Sequence, residues 1–158
     1  MKKTPAAREL DQAGISYEIH EFEAKDFTAE EVARELNVPL PQVFKTLVAE
    51  GDSTGIVMAC IPADRELDFK ALAKASGNKK AAMVRKSEVE KLTGYLTGGC
   101  SPLAGKKRHP LYLDESGLGL PFISVSAGLR GLQLFLTAED LARVTGASFA
   151  RLTRGDTE

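Results

Sequence analysis

Residues 43–61 read VFKTLVAEGDSTGIVMACI, two apolar runs separated by the polar segment GDST at 51–54. We predict a strand over 43–50 and another over 55–61, joined by a turn, because apolar and β-branched residues bounded by turn residues are typical of strands. Lys45 interrupts the first run with a charge. A lysine at this position faces either solvent, as on the wet side of an amphipathic strand, or a cavity.

Helices and short strands alternate on both sides of this hairpin. Five helices are predicted where a capping residue begins a segment, and a glycine ends four of them. The predicted helices follow Thr4, Thr28, Asp68, Ser87 and Thr137 and end near Gly14, Leu36, Gly77, Gly94 and Gly146. Further strands are predicted over 16–22, 81–84, 111–114, 122–126, 132–136 and 148–152. Short strands in antiparallel-looking pairs between helices favour an α+β fold over a doubly wound sheet.

Two of these helix starts carry the spacing of a capping box. Thr28 is followed by Glu31 and Ser87 by Glu90, each three residues later. In such a box the hydroxyl accepts the backbone N–H of the glutamate, and the glutamate reaches back to the N–H of the capping residue. Both boxes are therefore predicted at the first turns of their helices.

Length and composition set limits on the class of protein. The 158 residues, 43% of them hydrophobic, suffice for one domain with a sizeable core, so we expect residues 1–158 to form a single domain. No apolar run approaches the ~20 residues of a membrane span. A signal peptide requires an apolar segment after its positive residues, and none follows Lys2 and Lys3. Cys60 and Cys100 give no disulfide framework, which favours a soluble cytoplasmic protein without membrane contact.

The formal net charge of −1 conceals an uneven distribution. Residues 1–69 carry a net charge of −7, residues 70–110 a net charge of +8, and residues 111–158 a net charge of −2. The basic block also contains the glycine-rich segment 98–105. A positive rim beside a pocket would attract a polyanion such as RNA. The alternative is a set of solvated lysines on unrelated faces.

The sequence lacks the common motifs for metal binding, cofactor binding and nucleophilic catalysis. His20 and His109 have no cysteine, histidine or carboxylate at metal-ligand spacing, which disfavours zinc. No phosphate-binding loop, dinucleotide fingerprint or Gly-x-Ser-x-Gly nucleophile elbow occurs. We therefore expect neither a metal nor a cofactor. Cys60 lies within an apolar run and is predicted to be a core residue, whereas Cys100 follows two glycines and is open to interpretation as a nucleophile.

Three distant segments together resemble one known family. They are VFKTL at 43–47, TGYLTGGCSPL at 93–103 and SVSAGLRGL at 124–132. The chain is similar, over nearly its whole length, to the YbaK/EbsC family of trans-acting aminoacyl-tRNA editing domains, and especially to its Cys-tRNA(Pro) deacylases. This resemblance implies a compact α+β fold with a mixed, mostly antiparallel and partly barrel-like sheet surrounded by helices.

The resemblance also implies which residues act. Lys45 matches the family's key active-site lysine, and Gly98 and Ser126 match the other two positions expected in catalysis. Phe22, Thr46, Gly99 and Gly128 match positions expected to contact substrate. A tRNA-binding rim is expected from Lys79, Lys80, Lys106, Lys107, Arg108 and Arg130. The family commonly has an aliphatic residue at the position of Cys100, which favours a packing role for that thiol.

Three departures from the family pattern bear on activity. Phe22 stands where close relatives carry tyrosine, and Ala127 and Leu129 replace a glycine and a lysine of the usual turn.

The resemblance implies clearance of Cys-tRNA(Pro), with Cys-tRNA(Cys) as a further substrate, by attack of the substrate's own thiol on the ester. The expected partners are the tRNA acceptor end and prolyl-tRNA synthetase. The alternatives are water-driven deacylation of another mischarged tRNA, such as Ala-tRNA(Pro), and a non-catalytic module that binds the tRNA end.

Overall fold

A computed structural model describes residues 3–96 and 98–154. The helices among them are α1 (Pro5–Gln12), α2 (Ala29–Leu36), α3 (Phe69–Ser76), α4 (Lys86–Thr93) and α5 (Ala138–Thr145). The strands are β1 (Glu18–Glu21), β2 (Phe44–Gly51), β3 (Gly55–Pro62), β4 (Ala81–Met83), β5 (Leu111–Asp114), β6 (Ile123–Ser126), β7 (Leu132–Leu136) and β8 (Ser148–Ala150). Short 3-10 turns lie at Leu40–Gln42 and Glu115–Gly117. The predicted α+β fold is confirmed.

The described strands form two sheets. The larger has the order β4-β2-β3-β5-β8 and the smaller the order β1-β7-β6, and neither closes into a barrel. Val43 and Ser124 form an isolated bridge that links the start of β2 to β6. The predicted hairpin is the antiparallel β2–β3 pair, and the smaller sheet is antiparallel throughout. The pairs β3–β5 and β5–β8 are parallel instead. Parallel pairing needs a long crossover connection, and α3 and α4 lie between β3 and β5, whereas α5 lies between β5 and β8.

Capping residues begin four of the helices as predicted. The side chains of Thr4, Thr28, Asp68 and Thr137 each accept a backbone N–H from the first turn. The capping box at Ser87 is wrong: α4 begins at Lys86 after Arg85, which makes no capping hydrogen bond. The Val84 N–H donates to Val48 O at 3.0 Å, so the chain passes directly from sheet pairing into the helix and Ser87 falls inside the first turn.

The capping box at Thr28 is half right. Thr28 Oγ1 accepts the Glu31 N–H at 3.2 Å, as the spacing predicts. The Glu31 carboxylate does not return to the Thr28 N–H. It accepts backbone N–H groups from residues 25–27 instead.

The main hydrophobic core holds the start of β2 in position. It draws side chains from both sheets and from α1 and α5, including the fully buried Leu10, Leu134 and Leu141. Burying a leucine side chain contributes about 1.5–3 kcal/mol, so this core is the principal support of the fold. Cys60 belongs to it and is fully buried, which confirms its predicted core position. Since successive side chains of a strand point to opposite faces, the buried Phe44 leaves Lys45 on the other side of β2.

Candidate active site

A cavity of about 240 Å³ opens at the start of β2. Four parts of the chain line it: segment 22–32, the first residues of β2, the glycine-rich loop at 98–100, and the β6–β7 hairpin at 126–133. These parts are distant in sequence. The cavity is lined by Phe22, Ala24, Phe27, Thr28, Ala29, Val32, Val43, Phe44, Lys45, Thr46, Leu47, Gly98, Cys100, Ser126, Arg130, Gly131 and Gln133.

Lys45 faces this cavity rather than open solvent. It is half-buried, and its Nζ donates to Ala63 O at 3.4 Å, a long hydrogen bond. No carboxylate of the described residues lies within ion-pairing distance of Nζ. Thr46 follows it, with its Oγ1 placed 3.9 Å from Cys60 Sγ. The ammonium of Lys45 is thus available to an incoming anion or carbonyl oxygen.

Gly98 and Ser126 add hydrogen-bonding groups to the cavity. Gly98 has φ +87°, a left-handed conformation that favours glycine, and its N–H donates to no group of the described residues. Ser126 is buried, and its Oγ accepts the Gly128 N–H at 3.1 Å. Because that oxygen is already an acceptor, the hydroxyl proton is left to donate to a ligand.

Gly131 explains how the β6–β7 hairpin comes so close to segment 22–24. It has φ +87°, and a Cβ at this position would lie 2.6 Å from Phe22 O. The Phe22 N–H donates to Gly131 O at 2.9 Å. Only glycine permits this approach, which brings Phe22 to the cavity wall.

Phe27 and Gln133 line the cavity but were not predicted from the sequence. The Phe27 ring lies under the Arg130 guanidinium, 4.3 Å from the guanidinium carbon to the ring centroid. Arg130 was expected in the tRNA-binding rim beside the pocket, and the structure places it in the cavity wall. Gln133 is buried in β7, where its Oε1 accepts the Ser124 hydroxyl at 2.8 Å. A polar residue inside the apolar run 132–136 was the signal, as it was for Lys45.

Two expected substrate contacts, Gly99 and Gly128, are not among the residues that line the cavity. A Cβ on Gly99 would lie 3.2 Å from Arg130 N, and a Cβ on Gly128 would lie 3.0 Å from Tyr95 Cε1. Neither glycine is part of the lining. Gly99 lets the Arg130 backbone pack closely and Gly128 does the same for the Tyr95 ring, and their contact with substrate stays a prediction.

The described lining is positively charged and has no carboxylate or imidazole. Its charged side chains are Lys45 and Arg130, and none of the described lining residues is histidine, aspartate or glutamate. No group of described residues contains three or more potential metal ligands. Donors fixed in a partly closed site stabilise negative charge that develops on a carbonyl oxygen. The site is suited to binding a polarised ester, with the attacking group coming from water or from the substrate.

Comparison with known proteins agrees with this site. The sequence model of the aminoacyl-tRNA editing domain family matches residues 24–144, which contain every lining residue except Phe22. The chain belongs to this family. It is 44% identical over 154 residues, 96% of its length, to EbsC of Enterococcus faecalis, provisionally named as a Cys-tRNA(Pro)/Cys-tRNA(Cys) deacylase, and covers 94% of that protein. The resemblance drawn from the three sequence segments is thereby confirmed.

Two further matches concern proteins of prolyl-tRNA synthesis. The chain is 38% identical over 80 residues to proline–tRNA ligase of Thermosipho africanus, a match that spans 51% of this chain and 14% of the ligase. A crystal structure provisionally described as a trans-editing enzyme for prolyl tRNA synthetase superposes with a TM-score of 0.85 at 28% identity. That match covers 98% of this chain and all of the other.

Apart from Arg130, the residues of the predicted basic rim of this editing domain do not line the cavity. Lys79 and Lys80 lie beside the β2–β3 turn, where their N–H groups donate to Asp52 Oδ1 at 3.0 and 3.3 Å. Lys106 and Lys107 line a separate cleft with residues 54–56 of the same turn. Since a strand rises about 3.3 Å per residue, this end of β2 is about 20 Å from Lys45.

Arg108 has a different role from the one expected. Its Nη2 lies 2.5 Å from Glu9 Oε2, and Glu9 Oε1 accepts the Ala104 N–H at 2.9 Å. Glu9 therefore joins α1 to the glycine-rich loop, and Arg108 is paired with it although its side chain is 62% exposed.

The Cys100 thiol of the editing domain lines the cavity but is poorly suited to be a nucleophile. Burial raises the pKa of Cys100 to about 11. Because the thiolate and not the thiol is the attacking species, this residue is almost entirely un-ionised near neutral pH. The interpretation of Cys100 as a packing residue is consistent with this environment.

Replacement of Cys100 by alanine should leave deacylation within about twofold of wild type, because no step needs its thiolate. Steady-state rates on Cys-tRNA(Pro) provide the measurement. Cys60→Ala is a matched control for thiol loss, since Cys60 lies in the core and should lower the melting temperature instead. An inactive but folded Cys100→Ala protein would restore the covalent mechanism.

Proposed function

We propose that this chain is a trans-acting aminoacyl-tRNA deacylase that clears mischarged Cys-tRNA(Pro), with Cys-tRNA(Cys) as a further substrate. The observation that carries the proposal is the cavity itself. It is lined by Lys45, Gly98 and Ser126, and none of its described lining residues is histidine, aspartate or glutamate. The 44% identity to EbsC supports the same substrate class.

In the proposed mechanism the substrate supplies the nucleophile. The cysteinyl sulfur attacks the carbonyl carbon of its own ester, a C–S bond forms, and the bond from carbon to the ribose oxygen breaks. The thiol proton leaves as the sulfur attacks, and the released ribose hydroxyl takes up a proton. The product is tRNA plus a cyclic thioester that hydrolyses in water. Orientation alone supports such a step, since effective molarities of about 10⁵ M or more are measured for well-placed groups.

The lining residues have different tasks in this mechanism. The Lys45 ammonium stabilises the oxyanion or the terminal phosphate as a compact cation. The Gly98 N–H donates to the carbonyl oxygen, where a preformed donor is most effective. Ser126 orients the amino or thiol group of the substrate, and Thr46 contacts the terminal ribose. Phe22 contributes a ring to the wall without the hydroxyl that relatives carry.

A screen across tRNA(Pro) charged with cysteine, alanine, serine or proline tests this assignment. We expect Cys-tRNA(Pro) to be cleared fastest and Pro-tRNA(Pro) to be left intact. Preferential clearance of Ala-tRNA(Pro) would favour a positioned water in the same cavity. Binding without clearance of any of the four would identify a tRNA-end binding module.

The tRNA body is proposed to contact the basic cleft at the far end of β2. Replacing Lys106 and Lys107 with glutamine should weaken binding of every tRNA, whatever its amino acid. The slope of log affinity against log salt should fall by roughly 0.7 to 0.9 for each lost phosphate contact. Arg108 is left in place because of its contact with Glu9.

The control for this pair is Lys70→Gln with Lys74→Gln, the same charge change on the exposed side of α3. Activity on a short aminoacyl-nucleotide should survive in both double variants, since it lacks the distant phosphates. An unchanged slope of log affinity against log salt in the Lys106/Lys107 variant would show that these lysines make no phosphate contact and are only solvated surface residues. Selection of tRNA would then fall to prolyl-tRNA synthetase, the proposed partner.

A further inference from the structure

Glu31 is a buried carboxylate outside the cavity lining. Only 2% of its surface is exposed, although it lies in the first turn of α2. Its Oε2 accepts the Lys25 N–H at 2.7 Å, both oxygens accept the Asp26 N–H at 3.2 and 3.3 Å, and Oε1 accepts the Phe27 N–H at 3.1 Å. Three consecutive backbone donors thus converge on one side chain.

These contacts keep the carboxylate ionised. Burial works against its charge, but the N–H groups of residues 25–27 outweigh burial and hold the pKa of Glu31 below the ordinary glutamate value. An ionised oxygen makes a stronger acceptor than a neutral one. The segment therefore has a strong anchor although it contains neither helix nor strand.

The anchored segment ends in a strained residue at the cavity wall. Phe27 has φ 58°, a left-handed conformation that is rare for a bulky side chain and persists where its surroundings hold it. Its ring is under the Arg130 guanidinium. A Cβ on Gly98 would lie 3.3 Å from Phe27 Cβ and 3.5 Å from Arg130 Nε. Phe27, Arg130 and Gly98 therefore form one contiguous part of the wall.

We propose that Glu31 is a positioning residue for the editing reaction. Its carboxylate fixes the backbone of residues 25–27, the fixed backbone places Phe27, and Phe27 holds Arg130 beside Gly98. Glu31 touches no substrate and acts only through this segment. The effect on activity rests on the proposed deacylase function, whereas the ordering of the segment does not.

Glu31→Gln tests the proposal, because the amide keeps the shape but replaces one acceptor oxygen with a donor group facing backbone donors. Glu30→Gln is the matched control: it removes the same charge from the same helical turn, and Glu30 is exposed. Glu31→Asp keeps the charge with a shorter reach and should retain part of whatever Glu31→Gln loses. If Glu31→Gln fails to fold, Glu31→Asp carries the same comparisons.

Two measurements are made on each variant. Hydrogen exchange of a peptide covering residues 24–28 should be roughly tenfold faster or more in Glu31→Gln, since exchange follows local opening, with β7 unchanged. The value of kcat/KM for Cys-tRNA(Pro) should fall roughly tenfold or more, because displacement of a wall by about 1 Å can cost about 10²-fold. Glu30→Gln should match wild type in both measurements.

Unchanged hydrogen exchange at residues 24–28 in Glu31→Gln would show that Glu31 does not hold this segment in place. Faster exchange with unchanged kcat/KM would overturn the positioning role. If the wild-type protein shows no deacylation, the proposed function fails separately. Binding of a non-cleavable aminoacyl-nucleotide then replaces kcat/KM, with the same roughly tenfold loss expected for Glu31→Gln and unchanged affinity contradicting the proposal.

Discussion

Lys45→Ala should lower kcat/KM for Cys-tRNA(Pro) by roughly 10²–10³-fold, the usual cost of removing one donor that stabilises an oxyanion. The ammonium is one of two charged groups in the described cavity lining. The loss of stability should be small, about 1 kcal/mol or less, because the only hydrogen bond of Nζ among the described residues is the long one to Ala63 O. Single-turnover rates and thermal melting give the two values.

Two variants isolate the charge of Lys45. Lys45→Met keeps an unbranched apolar stem without the ammonium and should be as inactive as the alanine variant. Lys70→Ala removes an exposed lysine of α3 and should be fully active. Undiminished turnover in Lys45→Met would remove the ammonium from the mechanism, and with it most of the proposed site.

Ser-tRNA(Pro) should resist the protein although serine is nearly the size of cysteine. A cysteine thiol is a few per cent thiolate near neutral pH and strongly nucleophilic, whereas a serine hydroxyl is scarcely ionised, so we expect a difference of roughly 10²-fold or more. The rate on Cys-tRNA(Pro) should also rise with pH towards the ordinary thiol pKa of about 8.5. Matched rate measurements on the two substrates, corrected for spontaneous hydrolysis, give this comparison.

The identity of the first product provides an independent check on the nucleophile. Attack by the substrate thiol releases a cyclic thioester, which mass spectrometry detects before it hydrolyses. Equal rates on Ser-, Ala- and Cys-tRNA(Pro), with free amino acid as the first product, would contradict thiol attack. An activated water in the cavity would then be the nucleophile.

Local signals predicted most of the fold correctly. Thr4, Thr28, Asp68 and Thr137 cap helices as their sequence positions indicate, and Gly77, Gly94 and Gly146 end helices in the left-handed conformation. The β2–β3 hairpin follows from the polar turn at 51–54. These features depend on residues within a few positions of each other, which a single sequence records directly.

Features that depend on distant residues were not predicted. The parallel pairing of β5 with β3 and β8 depends on how helices return the chain to the sheet. The separation of the basic cleft from the cavity follows from the length of β2. No pattern of neighbouring residues contains this information.

The candidate site was predictable in part. Lys45 stood out as a charge inside an apolar run, and the family resemblance made it the active-site candidate. Gln133 is a polar residue inside the apolar run 132–136 but was overlooked. The cavity also brings together Thr46, Gly98 and Ser126, as the family resemblance implied. Phe27 lies outside any regular element, and its place depends on Glu31 and Arg130, so the sequence alone gave no reason to select it.

Multiple turnover of Cys-tRNA(Pro) by a small amount of protein tests the central claim most directly. With one protein per hundred or so charged tRNAs, wild type should clear the whole pool, with Lys45→Met measured beside it as the inactive control. We predict complete clearance by wild type and none above the spontaneous rate with Lys45→Met. Release of no more than one equivalent per protein, together with a shift in tRNA mobility, would contradict catalysis and identify a module that only binds.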